Sequence, residues 1–297
     1  MADDLLGVEE VQRENKQAIR KNSWSAYLEL LKNRNFLFLW LGQGISNIGD
    51  WLIIGPLVIF ISGKYGSALA VSGLVTAKIL PALFFGSVVG VLIDRLPRKK
   101  TMILCDILRG GLVILIPFAR SLYQIYLIVF CMDTLSLFFM PSKDASIPNI
   151  VERDHIITAN SLSYITNQLT MVLGLGFSAT IILIVEKIWG HLPIFHNLAG
   201  PYVAFYVDAM TFFISASTIA LIHLPPSVHV ISKINFAQIK NDLVEGIRFL
   251  KENPLIRAMI GSIGLAILGG GGLYTLGYFY SEQVLKTGRT GFVPLLT

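Results

Sequence analysis

Apolar residues fall along this chain in seven long runs, at 36–61, 68–93, 101–119, 122–140, 157–185, 202–224 and 255–280, with short polar links between most of them. Each is near the ~20 residues that carry a helix across about 30 Å of hydrocarbon. Lipid offers the backbone no hydrogen bonds, so only helices and closed barrels cross it. The runs do not alternate apolar with polar residues as barrel strands do. The pattern therefore predicts an all-α integral membrane protein.

Two stretches break the rhythm. Residues 1–35 are charged and polar, with Trp24, Tyr27, Leu28 and Leu31 at helical spacing among basic residues. They read as a cytoplasmic amphipathic arm on the membrane surface, or as a disordered tail. Residues 225–254 open with Pro225-Pro226 and carry Phe236, Ile239, Leu243, Ile247 and Leu250 at i, i+3, i+4 spacing, the mark of an amphipathic linker helix. The expected organisation is an arm (1–35), a six-helix transmembrane half (36–224), a cytoplasmic linker (225–254) and the start of a second transmembrane half (255–297).

Composition agrees. The 297 residues are 54% hydrophobic and 14% charged, with mean hydropathy +0.65. A soluble domain of average make-up is about 25% charged. The net charge of +5 forms no basic stripe on a soluble face, which argues against a nucleic-acid partner. The placement of the positive charges is more telling. With a cytoplasmic N-terminus, 17 of the 24 Lys and Arg fall in inside segments, five in outside segments, and Lys78 and Arg109 within spans. That asymmetry predicts a multi-pass cell-membrane protein with its N-terminus in the cytoplasm.

Candidate chemistry is sparse. Cys105 and Cys131 lie in apolar runs and form no CxxC or Cys/His pattern. His191 and His196 stand five apart in an outer loop, too weak a pattern for a metal site, and the other histidines pair with nothing at a recognised spacing. No GxxxxGK[ST] phosphate loop is present. Neither enzymatic catalysis nor a cofactor is expected.

Polar and ionisable residues inside spans are costly and point to function. Gln43, Ser46, Asn47 and Asp50 form one stripe in the first span, with Asp50 about 21 Å along the helix from Phe36. Asp50 reads either as a substrate or proton site or as a packing or interface carboxylate. Asp133 of the fourth span reads as a proton carrier, a cation contact or a partner for Lys78 of the second. Asn160, Ser163, Asn167, Thr170 and Gly174 line one face of the fifth span, and Asp208, Thr211 and Ser215 one face of the sixth. Packing between helices accounts for both.

The link GVLIDRLPRKK, 90–100, carries more than a positive-inside loop requires. Gly90, Asp94, Arg95, Arg98 and Lys99 fit the spacing of the signature between the second and third spans of major facilitator superfamily transporters, which this region resembles. Pro97 stands where many members have glycine. The stretches 33–52 and 138–162 are similar to bacterial exporters of the enterobactin-exporter and macrolide-efflux kind. The resemblance implies a fold of two six-helix halves joined by a long cytoplasmic link. It also implies a charged conformational latch at Asp94, Arg95 and Arg98, with Gly90, Lys99, Asp106 and Arg109 as its neighbours. The arginine of the fourth span and the Pro of the fifth-span motif that proton-coupled relatives carry are both absent.

The expected function is secondary active transport, with proton-driven efflux of an amphipathic drug, macrolide or siderophore across the bilayer by alternating access. The substrate or proton pathway is expected at Gln43, Asn47, Asp50, Lys78 and Asp133. A twelve-span member would need roughly another hundred residues, at ~20 per span, so the chain is expected to be incomplete. A second half or a second copy is then a partner. A non-transporting membrane protein, an importer and a lysophospholipid flippase are the alternatives.

Overall fold

The first apolar run forms two helices in line, α1 (Arg34–Leu52) and α2 (Ile54–Tyr65). Asn33 starts α1 by accepting the backbone N–H groups of Asn35 and Phe36 at 3.1 and 3.2 Å. The break at Ile53 has a cause in Pro56. Its ring crowds the carbonyl of Leu52, four residues back, and its nitrogen donates nothing. At the far end the chain turns at Gly66, whose φ of 61° is the left-handed conformation that ends helices cheaply. The structure, a computed structural model, describes residues 26–93, 96–189, 201–224 and 248–285.

The remaining helices are α3 (Ala68–Ile93), α4 (Arg98–Leu115), α5 (Leu122–Ile150), α6 (Ile156–Trp189), α7 (Pro201–Ala220) and α8 (Pro254–Gln283). All regular structure among the described residues is helical. Five segments there are long and apolar enough to cross a membrane: Arg34–Tyr65, Leu69–Gly86, Arg98–Phe118, Leu122–Ile150 and Tyr202–Ala220. The helices α6 and α8 fall where the fifth and seventh spans were expected, but the six-plus-one division goes further than this count. Most of the arm and of the linker lies outside the described residues, leaving helical ends at 26–32 and 248–252.

The helices pack as a bundle with α1 against α7 and α6, α4 against α7 and α5, and α3 against α5. Two separate apolar clusters hold it. One gathers Leu57, Ile61, Val71, Val113, Ile125, Phe205 and Phe212 around the Gly66 end of the first span. The other gathers Leu30, Phe36, Met102, Phe139, Ile147 and Ile219 around its Asn33 end. Side chains turned away from the bundle are apolar too, among them Leu83, Phe84, Leu104 and Leu127, as contact with lipid requires.

Small residues set the closest approaches. A side chain at Gly174 would meet Trp51, the carbonyl oxygen of Ile48 at 2.8 Å and the backbone nitrogen of Leu52 at 3.1 Å. Two residues on, Gly176 faces open space. Gly174 is therefore a packing glycine and Gly176 is not. Replacing Gly174 by Val forces α6 away from the α1–α2 junction and is expected to destabilise by about 1–3 kcal/mol, while Gly176→Val is silent. Thermal unfolding of the two variants in the same detergent checks the difference.

Candidate functional site

Between the two apolar clusters lies a polar layer. α1 supplies Gln43 and Asn47, both buried, and Asp50 one turn further on. Gln43 Nε2 donates to Asn47 Oδ1 at 2.7 Å, and Asn47 Nδ2 donates to Asn167 Oδ1 of α6 at 3.1 Å. The first bond lies within α1 and the second joins α1 to α6, while Gln43, Asn47 and Asp50 all border one cavity.

That cavity measures about 570 Å³ and is lined by Gln43, Asn47, Asp50, Lys78, Arg109 and Asp133 among others. Its walls are otherwise largely apolar, with Ile53, Leu57, Val58 and Leu74 on one side and Met132 and Phe139 on another. All five residues expected on the substrate or proton pathway are thus brought to one place. Lys78 Nζ donates to Asp133 Oδ2 at 3.2 Å, joining α3 to α5. Of the readings open for Asp133, pairing with Lys78 is the one seen.

Arg109 sits elsewhere than the sequence suggested. Eleven residues from the start of α4, about 17 Å along its axis, it points into the cavity and not towards the 90–100 link. Its side chain is 4% exposed. One end of the guanidinium binds Asp106, which is completely buried. The other lies 3.3 Å from Ser136 Oγ and 3.8 Å from Asp50 Oδ2. The rings of Phe139 and Phe212 cover its two sides, with centroids 4.7 and 4.4 Å away. Arg109 therefore has one committed carboxylate and one loose one. Asp106 and Arg109 belong to the cavity layer on this geometry, because their rotation about α4 aims them inward.

The latch candidates are described only in part. Asp94 and Arg95 lie outside the described residues. Arg98 Nη1 donates to the carbonyl oxygen of Ala145 at 2.6 Å, and Lys99 Nζ to that of Ala220 at 2.8 Å, the last residue of α7. Both tie the start of α4 to the ends of neighbouring helices, where cations are favoured. Space around Gly90 is open. Among the described residues no cluster of His, Cys, Asp or Glu could hold a metal, and His191 and His196 lie outside them. Ser136, Phe139 and Asn167 join the site without having been singled out for it. Polar spacing on their helices hinted at Ser136 and Asn167, and nothing in the sequence pointed to Phe139.

A multi-span helical bundle enclosing an ion-paired, largely apolar cavity has the architecture of a membrane transporter. The comparisons with known proteins agree, for residues 39–296 match the Major Facilitator Superfamily. The chain belongs to that family, a family of transporters rather than enzymes. It is 30% identical over 233 residues to the uncharacterized MFS-type transporter YfiS of Bacillus subtilis (strain 168), covering 76% of this chain and 52% of that protein. It is 22% identical over 230 residues to macrolide efflux protein A of Streptococcus pyogenes, covering 76% and 53%. With the putative bacilysin exporter BacE of Bacillus subtilis it shares 28% identity over 240 residues, covering 80% and 56%. The chain thus spans about half the length of these relatives. Among solved structures, it matches a bacterial homologue of the human lysosomal transporter Spinster in an inward-facing, unoccupied conformation. That match has a TM-score of 0.67 at 17% identity and covers 88% of this chain and 58% of the other.

The two ion pairs should respond differently to loss of their cation. Arg109→Ala leaves Asp106 buried with no counter-charge and is expected to cost about 3–5 kcal/mol, much of it recovered when Asp106→Ala is added. Lys78 is 46% exposed, so Lys78→Met is expected to cost no more than about 1 kcal/mol. Unfolding curves for the three variants in one detergent check the ranking.

Proposed function

We propose that this chain forms the substrate-binding half of a secondary transporter that exports amphipathic small molecules from the cell in exchange for protons. The cavity carries the reading: apolar walls suited to a drug-like body, and Asp50, Lys78 and Asp133 suited to its polar end. The similarity to macrolide efflux protein A and to BacE supports efflux of such compounds. A siderophore is the other substrate class the sequence suggests. A second half or a second copy would supply the opposite wall.

Within this reading Asp50 is the group that changes protonation. Its hold on Arg109 is the loose one, at 3.8 Å, while Asp106 keeps the guanidinium in place. A proton arriving at Asp50 removes the weaker contact without leaving Arg109 bare. Asp133 serves as the second carboxylate, and Lys78 is free to turn to substrate when Asp133 is neutralised. Alternating access then follows from rocking of the two halves, with Asp94, Arg95, Arg98 and Lys99 steadying the cytoplasmic ends.

The test uses the full reading frame expressed in a bacterial host stripped of its own exporters. Energised everted vesicles are expected to accumulate a macrolide probe, and Asp50→Asn and Asp133→Asn to bring accumulation down to the level of empty vesicles. Proton-driven accumulation that survives in both variants would overturn the coupling. Movement in the opposite direction would make the protein an importer.

A further inference from the structure

One buried carboxyl takes no part in the cavity. Asp208 lies on α7, twelve residues from its end at Ala220, about 18 Å along the axis, and so near the middle of the ~30 Å hydrocarbon layer. None of its surface is exposed. Its Oδ2 has no hydrogen-bond partner among the described residues. Its Oδ1 lies 3.5 Å from Thr211 Oγ1, but that hydroxyl has one hydrogen and sits closer, at 2.7 Å, to the backbone carbonyl oxygen of Asp208. Among the described residues the carboxyl thus has one donor, a long contact whose hydrogen is shared with the backbone oxygen.

What covers it is a helix with a gap made for it. Opposite Asp208, α1 presents Gly49, and the space a side chain there would fill is taken by Asp208 and Thr211. The charges within electrostatic range are Asp50 of α1, Arg109 of α4 and Lys78 of α3. Arg109 is committed to Asp106, and Lys78 to Asp133. Lys64 of α2 is turned to the carbonyl oxygen of Ala119, and α6 carries no charged residue among its described side chains. Among the described residues no cation pairs with Asp208 alone.

We propose that Asp208 is a proton-binding site separate from the cavity carboxylates, occupied while α1 and α7 are packed and emptied to water when their contact at Gly49 opens. A carboxylate with one oxygen unpartnered, a single shared donor on the other and no dedicated cation is strongly disfavoured in such surroundings, whereas a carboxylic acid is not. Release of the proton needs water at the carboxyl, and water reaches it only if Gly49 moves off. Proton occupancy and helix packing are thereby linked, each favouring the other. The assignment rests on the α1–α7 contact and stands whether or not export is proton-driven.

Infrared spectroscopy of the full-length protein in lipid tests it, with no substrate present. A carbonyl band of a protonated, water-excluded carboxyl is expected at neutral pH, exchanging slowly in heavy water, lost in Asp208→Asn and kept in Asp50→Asn. A band that Asp208→Asn leaves intact, or no such band in the unaltered protein, overturns the proposal. For a preparation in which Asp208→Asn does not assemble, Thr211→Val supplies the second reading. Removing the hydroxyl beside Oδ1 shifts the band if it belongs to Asp208, and an unshifted band overturns the assignment.

Discussion

The guanidinium of Arg109 is the group on which the middle of this bundle depends. A charge in hydrocarbon is tolerable only when it is paired and covered, and each helix that meets it contributes something to that end. α4 carries both Arg109 and Asp106, one turn apart, so the ion pair is formed within a single helix. α5 adds Ser136 and the ring of Phe139, and α7 adds the ring of Phe212. Only then does α1 bring Asp50, which finds the cation already occupied. The polarity of the cavity follows from that order of commitment: a neutralised pair at its back and a weakly held carboxylate at its face.

The surroundings keep this layer in place. Apolar clusters close the bundle at both ends and reach the middle layer through Phe212 of one and Phe139 of the other, the two rings against Arg109. Where helices must pass closely, one of them presents glycine: Gly174 lets α6 reach the α1–α2 junction, and Gly49 lets α7 reach α1. Interfaces of small residues hold by van der Waals contact and need no hydrophobic effect, which lipid does not supply. Arg98 and Lys99 complete the arrangement at the start of α4 by gripping carbonyl oxygens of α5 and α7.

Much of the fold was legible because lipid imposes one rule on every crossing segment. The run at 68–93 became α3 with the same ends. α5 ran ten residues beyond its expected end, since a helix does not stop where the hydrocarbon does. Its extension, with Ser142, Lys143, Asp144 and Asn149, is too polar to read as a span. Gln43, Asn47, Asp50, Lys78 and Asp133, singled out in the sequence, border one cavity, but their contacts were not legible. Lys78 and Asp133 are 55 residues apart, and nothing local joins them; only the rule that buried charges seek partners suggested the pair. Arg109 was placed by its distance from the loop, when what mattered was its rotation about α4. Asn47 and Asn167 showed the right spacing on their own helices, but which stripes would meet depends on tertiary packing that periodicity does not carry.

A cavity of this size bears on the electric field across the membrane. Water filling the space of about 570 Å³ beside Asp50 would conduct far better than lipid, so the voltage would drop mainly across the dry part of the protein. A full crossing at 100 mV is worth about 2.3 kcal/mol per elementary charge. In the proton exchange proposed above, a proton reaching Asp50 through such water would have crossed only a fraction of that drop, and the remainder would fall across the apolar cluster closing the other end. The thickness of that cluster, more than the length of the helices, would then set how steeply that exchange responds to membrane potential.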